Sequence, residues 1–206
     1  ILIALFMQAG NPIVGAKDGP LQSYLDNPTN QYDLSSILEF FIAFADPSQN
    51  VYSWNKSFAN STSSFSSEDL AFYFGYASEF RSLVNRNPNQ NFSVAPIPQF
   101  GDISQKVTSA RTTGIAISSA SRNLTTAFTA TSLLATSDFA YRLALSLGTP
   151  PARRDLLALK PTDAYSPFFY DSALFAKSWL DPREQSTDDI FRTMIDSTLS
   201  NNNTAR

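Results

Sequence analysis

Few side chains in this sequence can do chemistry, and their types narrow what the protein can be. Its 206 residues include no histidine and no cysteine. That excludes a Ser-His-Asp triad, a histidine or thiolate zinc site, a disulfide framework and a cysteine nucleophile. Carboxylates remain as acid-base groups, and glycan cleavage would need a pair of them about 5 to 9 Å apart in a cleft. Asp33, Asp46, Glu68, Asp69, Asp181 and Glu184 are available, but each sits where a helix cap or turn explains it. No catalytic residue, metal ligand or cofactor is expected, and a glycine-rich phosphate loop is absent.

What remains are aromatic rings, hydroxyls and amides. The stretch SFSSEDLAFYFGYASE, Ser64 to Glu79, sets Phe65, Phe72, Tyr73, Phe74 and Tyr76 close together and places Gly75 before the last ring. Trp54 lies in a polar loop between Ser53 and Asn55, where it either covers a helix end or offers its ring to a ligand. Arg111 and Thr112 precede an apolar run and can bond a hydroxyl or carboxylate, although an arginine there is more often a solvated charge. Arg153-Arg154 has the look of an anion site. Asn55, Asn60, Asn91 and Asn123 each match the weak glycosylation sequon.

Composition sets the background for these groups. With 43% hydrophobic residues the chain can build a core, so disorder over most of it is not expected. Only 16% of residues are charged, and 15 basic against 18 acidic residues leave a net charge of −3 with no basic stripe. Nucleic acid is therefore excluded as a partner class. A surface made polar by Ser, Thr, Asn and Gln suits neutral, hydrogen-bonding ligands.

The elements that must position these groups read as a mixed α/β chain. Ile1 to Met7 is apolar but far short of a membrane span of roughly 20 residues. It predicts part of a core helix, with the chain beginning inside a fold whose earlier part is missing. Turn clusters at residues 10–15 and 17–20 predict a small hairpin. Asp33 caps a helix whose face is expected to carry Ile37, Phe40, Phe41 and Phe44, and Asp46-Pro47 ends it. Ser66 or Ser67 is expected to open a helix to about Phe72, and Glu79 to cap one running toward Val84. Strands are expected at 91–99 and 113–118, and a helix capped by residues 121–123. From Ser137 the pattern is helical, with breaks at 148–151, 160–161 and 181–182. Phe40, Phe41, Phe72, Phe74 and Phe168 are assigned to the core, and residues 201–204 to a fraying end.

Several words recur in an order that resembles a known family. They are MQAGNPIV (7–14), FIAFADP (41–47), VYSWN (51–55), FYFGYASE (72–79), NPNQNFSVAPIPQ (87–99), GIAISSASRN (114–123), PPARRDLL (150–157), FYDSALFAKSWLDP (169–182) and DDIFRTMIDSTL (188–199). Together they cover nearly the whole chain and resemble the extracytoplasmic solute-binding proteins of ABC transporters, the sugar-binding family 1. One departure lies at 65–72, where acidic Glu68-Asp69 replaces the family's Gly-Lys pair.

The resemblance implies the type II fold of periplasmic binding proteins, two α/β lobes that close over a ligand, of which residues 1–206 would be the C-terminal portion. That portion would be mostly the second lobe, with crossing strands near 70–76, 91–99 and 113–119. It implies that Gly75-Tyr76 turns at the cleft, with Tyr76 offering a ring face and a hydroxyl to a pyranose, and that Trp179 borders the same cleft. Trp54 and Arg111 complete the expected ligand-binding set, while Arg153-Arg154 begins a helix. The implied function is the substrate-binding component of an ABC importer. It would bind a mono- or oligosaccharide without chemistry and deliver it to the permease subunits, as a monomer held outside the cytoplasm by a lipid anchor. The alternatives are a glycan-acting enzyme, a binding protein for a non-sugar solute, and a surface adhesion module.

Overall fold

Seven apolar-rich residues at the start of the chain form helix α1 (Leu2–Gln8), which inserts Phe6 as a fully buried side chain. Leu2, Phe6 and Ala9 meet Ile13 and Ile37 in one cluster. Burying a side chain of this size stabilises by about 1.5–3 kcal/mol. The computed structural model describes residues 1–10, 12–15, 19–25, 32–101, 106–181 and 183–204, with side chains described to residue 200. Asn11, Lys17, Asp18 and Pro182, which belong to turns expected from sequence, lie outside the described residues.

The chain divides into two compact units. The first comprises Ile1–Asn60, Gln99–Ser109 and Lys177–Arg206; the second comprises Ser61–Pro98 and Ala110–Ala176. In the first unit α1 is followed by an antiparallel hairpin, β1 (Val14–Gly15) with β2 (Gln22–Ser23), in the register Val14 opposite Ser23. The expected helix is α2 (Leu34–Ala43): Asp33 is extended at its N-cap, and its Oδ1 accepts from the Ser36 amide at 2.6 Å. The Gln8 side-chain amide donates to the Val107 carbonyl at 3.2 Å, fastening α1 to the segment before β3 (Thr108–Ser109). At the C-terminal side α9 (Glu184–Thr204) starts where Asp181 accepts from the Arg183 amide and the Thr187 hydroxyl. Phe191, Met194 and Ile195 of α9 pack on the cluster, with the Phe191 ring 6.2 Å from that of Phe6.

The second unit is helical and aromatic. Its elements are α3 (Ser61–Ser66), a 3-10 turn at Ala77–Glu79, α4 (Phe80–Arg86), α5 (Leu124–Leu134), α6 (Ser137–Leu147), α7 (Arg154–Leu157) and α8 (Ser166–Ala173). Strand β4 (Ala176–Lys177), in which the chain returns to the first unit, pairs with β3. Rings of Phe65, Tyr73, Phe92, Phe80, Tyr165 and Phe169 touch in series, their centroids 4.9–5.9 Å apart. Gln90 and Asn87 donate to the carbonyls of Phe65 and Ser66, which ties the loop after α4 to the end of α3.

The architecture is mixed α/β, with strands of two residues each. Several expectations need correction. Residues 70–76, 91–99 and 113–119 form no strands. Pro96 and Pro98 lack the amide a ladder needs, and Ile115 is exposed where a buried strand would hide it. The chain instead passes between units at 60/61, 98/99, 109/110 and 176/177. Helix α3 ends at Ser66, where the expected helix was to start, and Glu68 at φ 65° turns the chain away. The buried face of α2 carries Ile37, Leu38 and Ile42; Phe40 and Phe44 are exposed and pack edge to face on each other. Phe74 and Phe168 are also exposed, and Phe72 is 80% exposed. Helix α9 runs through Thr204, within the stretch read from sequence as a fraying or cut end. No helix among the described residues is long and apolar enough to cross a membrane.

Two expected outcomes follow from these contacts. Gly148 ends α6 in the left-handed region at φ 66°, and a Cβ there would lie 2.6 Å from Nε of Arg81, whose guanidinium donates to the carbonyls of Leu145 and Ser146. Gly148→Ala should therefore lower the unfolding free energy by about 1–2 kcal/mol in urea titration. Backbone amides hold two carboxyls below their ordinary range: that of Ser36 for Asp33, and chiefly that of Ser166, helped by Tyr165, for Asp163. Depressed carboxyls contribute stability that is present above about pH 4 and lost as pH falls through the folded-state values. The double variant Asp33→Asn, Asp163→Asn keeps an acceptor oxygen without a titrating charge. Its urea midpoint should fall less between pH 5 and pH 2 than that of the wild type; an equal fall would remove both residues from the acid response.

Candidate functional site

Gly75 and Tyr76 follow an irregular segment, and one carboxylate organises them. Oε2 of Glu79 accepts from the Tyr76 amide at 2.9 Å and from the Tyr73 hydroxyl at 3.1 Å. The Glu79 amide in turn donates to the Tyr76 carbonyl at 2.9 Å, closing the 3-10 turn that leads into α4. An acidic side chain folded back on the first amides of a helix satisfies donors that have no helical partner and complements the positive end of the dipole. Partial burial is the main influence that pushes the Tyr73 phenol up. Its ring also lies 5.5 Å from that of Phe65, so the turn is fixed to the aromatic core of the second unit.

Gly75 is explained by this turn. A Cβ at position 75 would stand 2.4 Å from both Glu79 Oε2 and the Tyr73 ring. The glycine makes room for the carboxylate that caps the turn; close approach of a ligand is not required to account for it.

Tyr76 itself points outward, with 39% of its surface exposed. The Arg111 guanidinium carbon lies 5.4 Å from its ring centroid, a cation–π distance. Three of the five residues singled out from sequence, Gly75, Tyr76 and Arg111, thus meet in one patch of the second unit. Arg111 precedes no strand; it sits on an exposed irregular segment and reaches the tyrosine from 35 positions away in sequence.

The other two belong to the first unit. The amides of Ser53 and Trp54 both donate to the Phe44 carbonyl, at 2.9 and 3.1 Å, so the Trp54 loop does cover the end of α2. Its ring nevertheless remains 44% exposed and lines a cavity of about 290 Å³ with Phe41, Lys56, Ile195, Asp196 and Leu199. The two readings of Trp54 are therefore compatible. Trp179 is partly buried and packs against the Leu2–Ile37 cluster, which agrees with the reading of it as a core residue.

The wall of that cavity on α9 escaped the sequence reading. Arg192, Ile195, Asp196 and Leu199 follow the i, i+3, i+4, i+7 spacing of one helical face, and this signal was available. What sequence could not supply is the distant loop that faces it.

Other charged candidates have structural duties. Arg153 pairs with Asp155 at 2.9 Å and donates to the Ala135 carbonyl, and Arg154 opens α7. Asp46 accepts from the amide and hydroxyl of Ser48. Among the described residues no three His, Cys, Asp or Glu side chains converge to hold a metal ion.

Compared with known proteins, the chain matches no family model, no curated protein and no solved structure.

The turn makes a clear demand on position 75. Gly75→Ala should displace the Glu79 carboxylate and lower stability by about 1 kcal/mol, the scale of a lost N-terminal cap, as read by chemical denaturation. No loss would mean that the carboxylate is not needed there.

Proposed function

We propose that the protein is the substrate-binding component of an ABC importer and that it binds a neutral mono- or oligosaccharide. The observation that carries this reading is the Tyr76–Arg111 patch. It presents an exposed ring whose backbone is held by hydrogen bonds, with the Arg111 guanidinium carbon 5.4 Å from the ring centroid. Sugars bring C–H faces to rings and hydroxyls to donors, so they need both together. A polar surface built from hydroxyls and amides with few ions suits the same ligand class.

The order of sequence words supports the finer fold assignment, the two-lobed type II architecture with this chain as its later portion. Division into two units joined by four chain passages agrees with that kind of connectivity. Delivery to permease subunits and a location outside the cytoplasm belong to the same proposal. Binding without chemistry is the favoured mode, since Asp33, Asp46 and Asp181 are already engaged by backbone amides.

Tyr76 can be tested cleanly because its own amide, not its ring, holds the turn. Tyr76→Ala should weaken carbohydrate binding by about 1–3 kcal/mol in calorimetry, the scale of stacking on an aromatic side chain, while the thermal midpoint stays close to that of the wild type. Unchanged affinity would remove Tyr76 from the site.

A further inference from the structure

We infer that the first unit carries a ligand site of its own, the cavity beneath Trp54, and that it accepts a single neutral pyranose ring. The inference is independent of the Tyr76 patch and rests on the geometry of α2, α9 and the Trp54 loop.

Three features combine. The walls are mainly apolar: Trp54 and Phe41 supply rings, Ile195 and Leu199 aliphatic surface. Phe41 and Ile195 also pack on the Leu2–Ile37 cluster, and the backbone at Trp54 is bonded to the end of α2, so the cavity is held in place before any ligand arrives. At about 290 Å³ the space lies at the small end of the range for small-molecule sites, which suits one ring and not a chain of them.

The third feature decides the class of ligand. Lys56 Nζ and Asp196 Oδ1 form an ion pair of 2.6 Å in the cavity lining, linking the loop to α9, and both side chains retain access to solvent at 63% and 35%. Arg192, in the same lining, is held by Asp189 at 3.3 Å. An anionic ligand would compete with Asp196 for the lysine, and a cationic one would compete with Lys56 for the carboxylate. A purely apolar ligand would strip water from the pair and return no hydrogen bond. A hydroxyl both donates and accepts, so neighbouring hydroxyls can donate a hydrogen bond to Asp196 and accept one from Lys56 without breaking the pair. A pyranose adds the C–H face that Trp54 can stack against.

Trp54 and Trp179 are the protein's two tryptophans, which gives a direct readout. In Trp179→Phe, where Trp54 is the sole tryptophan and is excited selectively over the tyrosines, glucose, galactose and mannose are titrated separately while fluorescence is followed. At least one should give a saturable change in Trp54 emission, and Asp196→Asn or Lys56→Met should weaken it about tenfold or more. Wild-type protein labelled with 5-fluorotryptophan, read by fluorine NMR, provides the same information should Trp179→Phe fold poorly. A response that persists in Tyr76→Ala belongs to the cavity and supports the inference; one lost there overturns its independence. Silence to all three sugars, or a response to phenol or indole alone, overturns the cavity assignment. Silence alongside carbohydrate binding that depends on Tyr76 overturns the cavity assignment alone, leaving the proposed function standing.

Discussion

The carboxylate of Glu79 holds the turn that presents Tyr76 in the second unit. By accepting from the Tyr76 amide and the Tyr73 hydroxyl, one oxygen ends an irregular segment and starts a helix, and it links both to the aromatic core. The position next to it must then be glycine, because the carboxylate and the Tyr73 ring occupy the space a Cβ would need. Tyr76 is left with its backbone committed and its side chain partly exposed, so the turn does not depend on the ring.

A similar division of labour runs through the first unit. The backbone around Trp54 finishes α2, while its indole lines a cavity whose far wall is a face of α9. Ion pairs contribute little to holding either unit together. The ion pairs Lys56–Asp196, Arg142–Asp138 and Lys160–Asp171 all lie at the surface, where such pairs contribute from nothing to about 1 kcal/mol. Burial of α1 and contacts between aromatic rings carry the cores. Charged side chains such as Asp33 and Glu79 serve instead as caps for backbone amides.

What could be read in the sequence followed periodicity and caps. Helix α1, the hairpin, α2 with Asp33 and the break at Gly148 all follow from local rules, since their determinants lie within a few residues. Expectations failed where a segment depends on distant neighbours. The resemblance implies a strand at 70–76, yet the segment forms none and Phe72 stays exposed. Phe40 and Phe74 were placed in the core because they are large and apolar, although which face of an element is covered depends on its partners. The site divided in the same way. Tyr76 and Gly75 stood out by local pattern, whereas the approach of Arg111 and the α9 wall opposite Trp54 are products of folding.

Carbohydrate recognition without turnover is the central claim, and a thermal-shift screen of the wild-type protein against mono-, di- and oligosaccharides tests it most directly. A ligand that binds only the folded state raises the midpoint by mass action. A rise of the midpoint with one class of sugar, together with recovery of that sugar unchanged, is the result predicted. No shift with any sugar, or cleavage of the sugar that shifts it, would contradict the account.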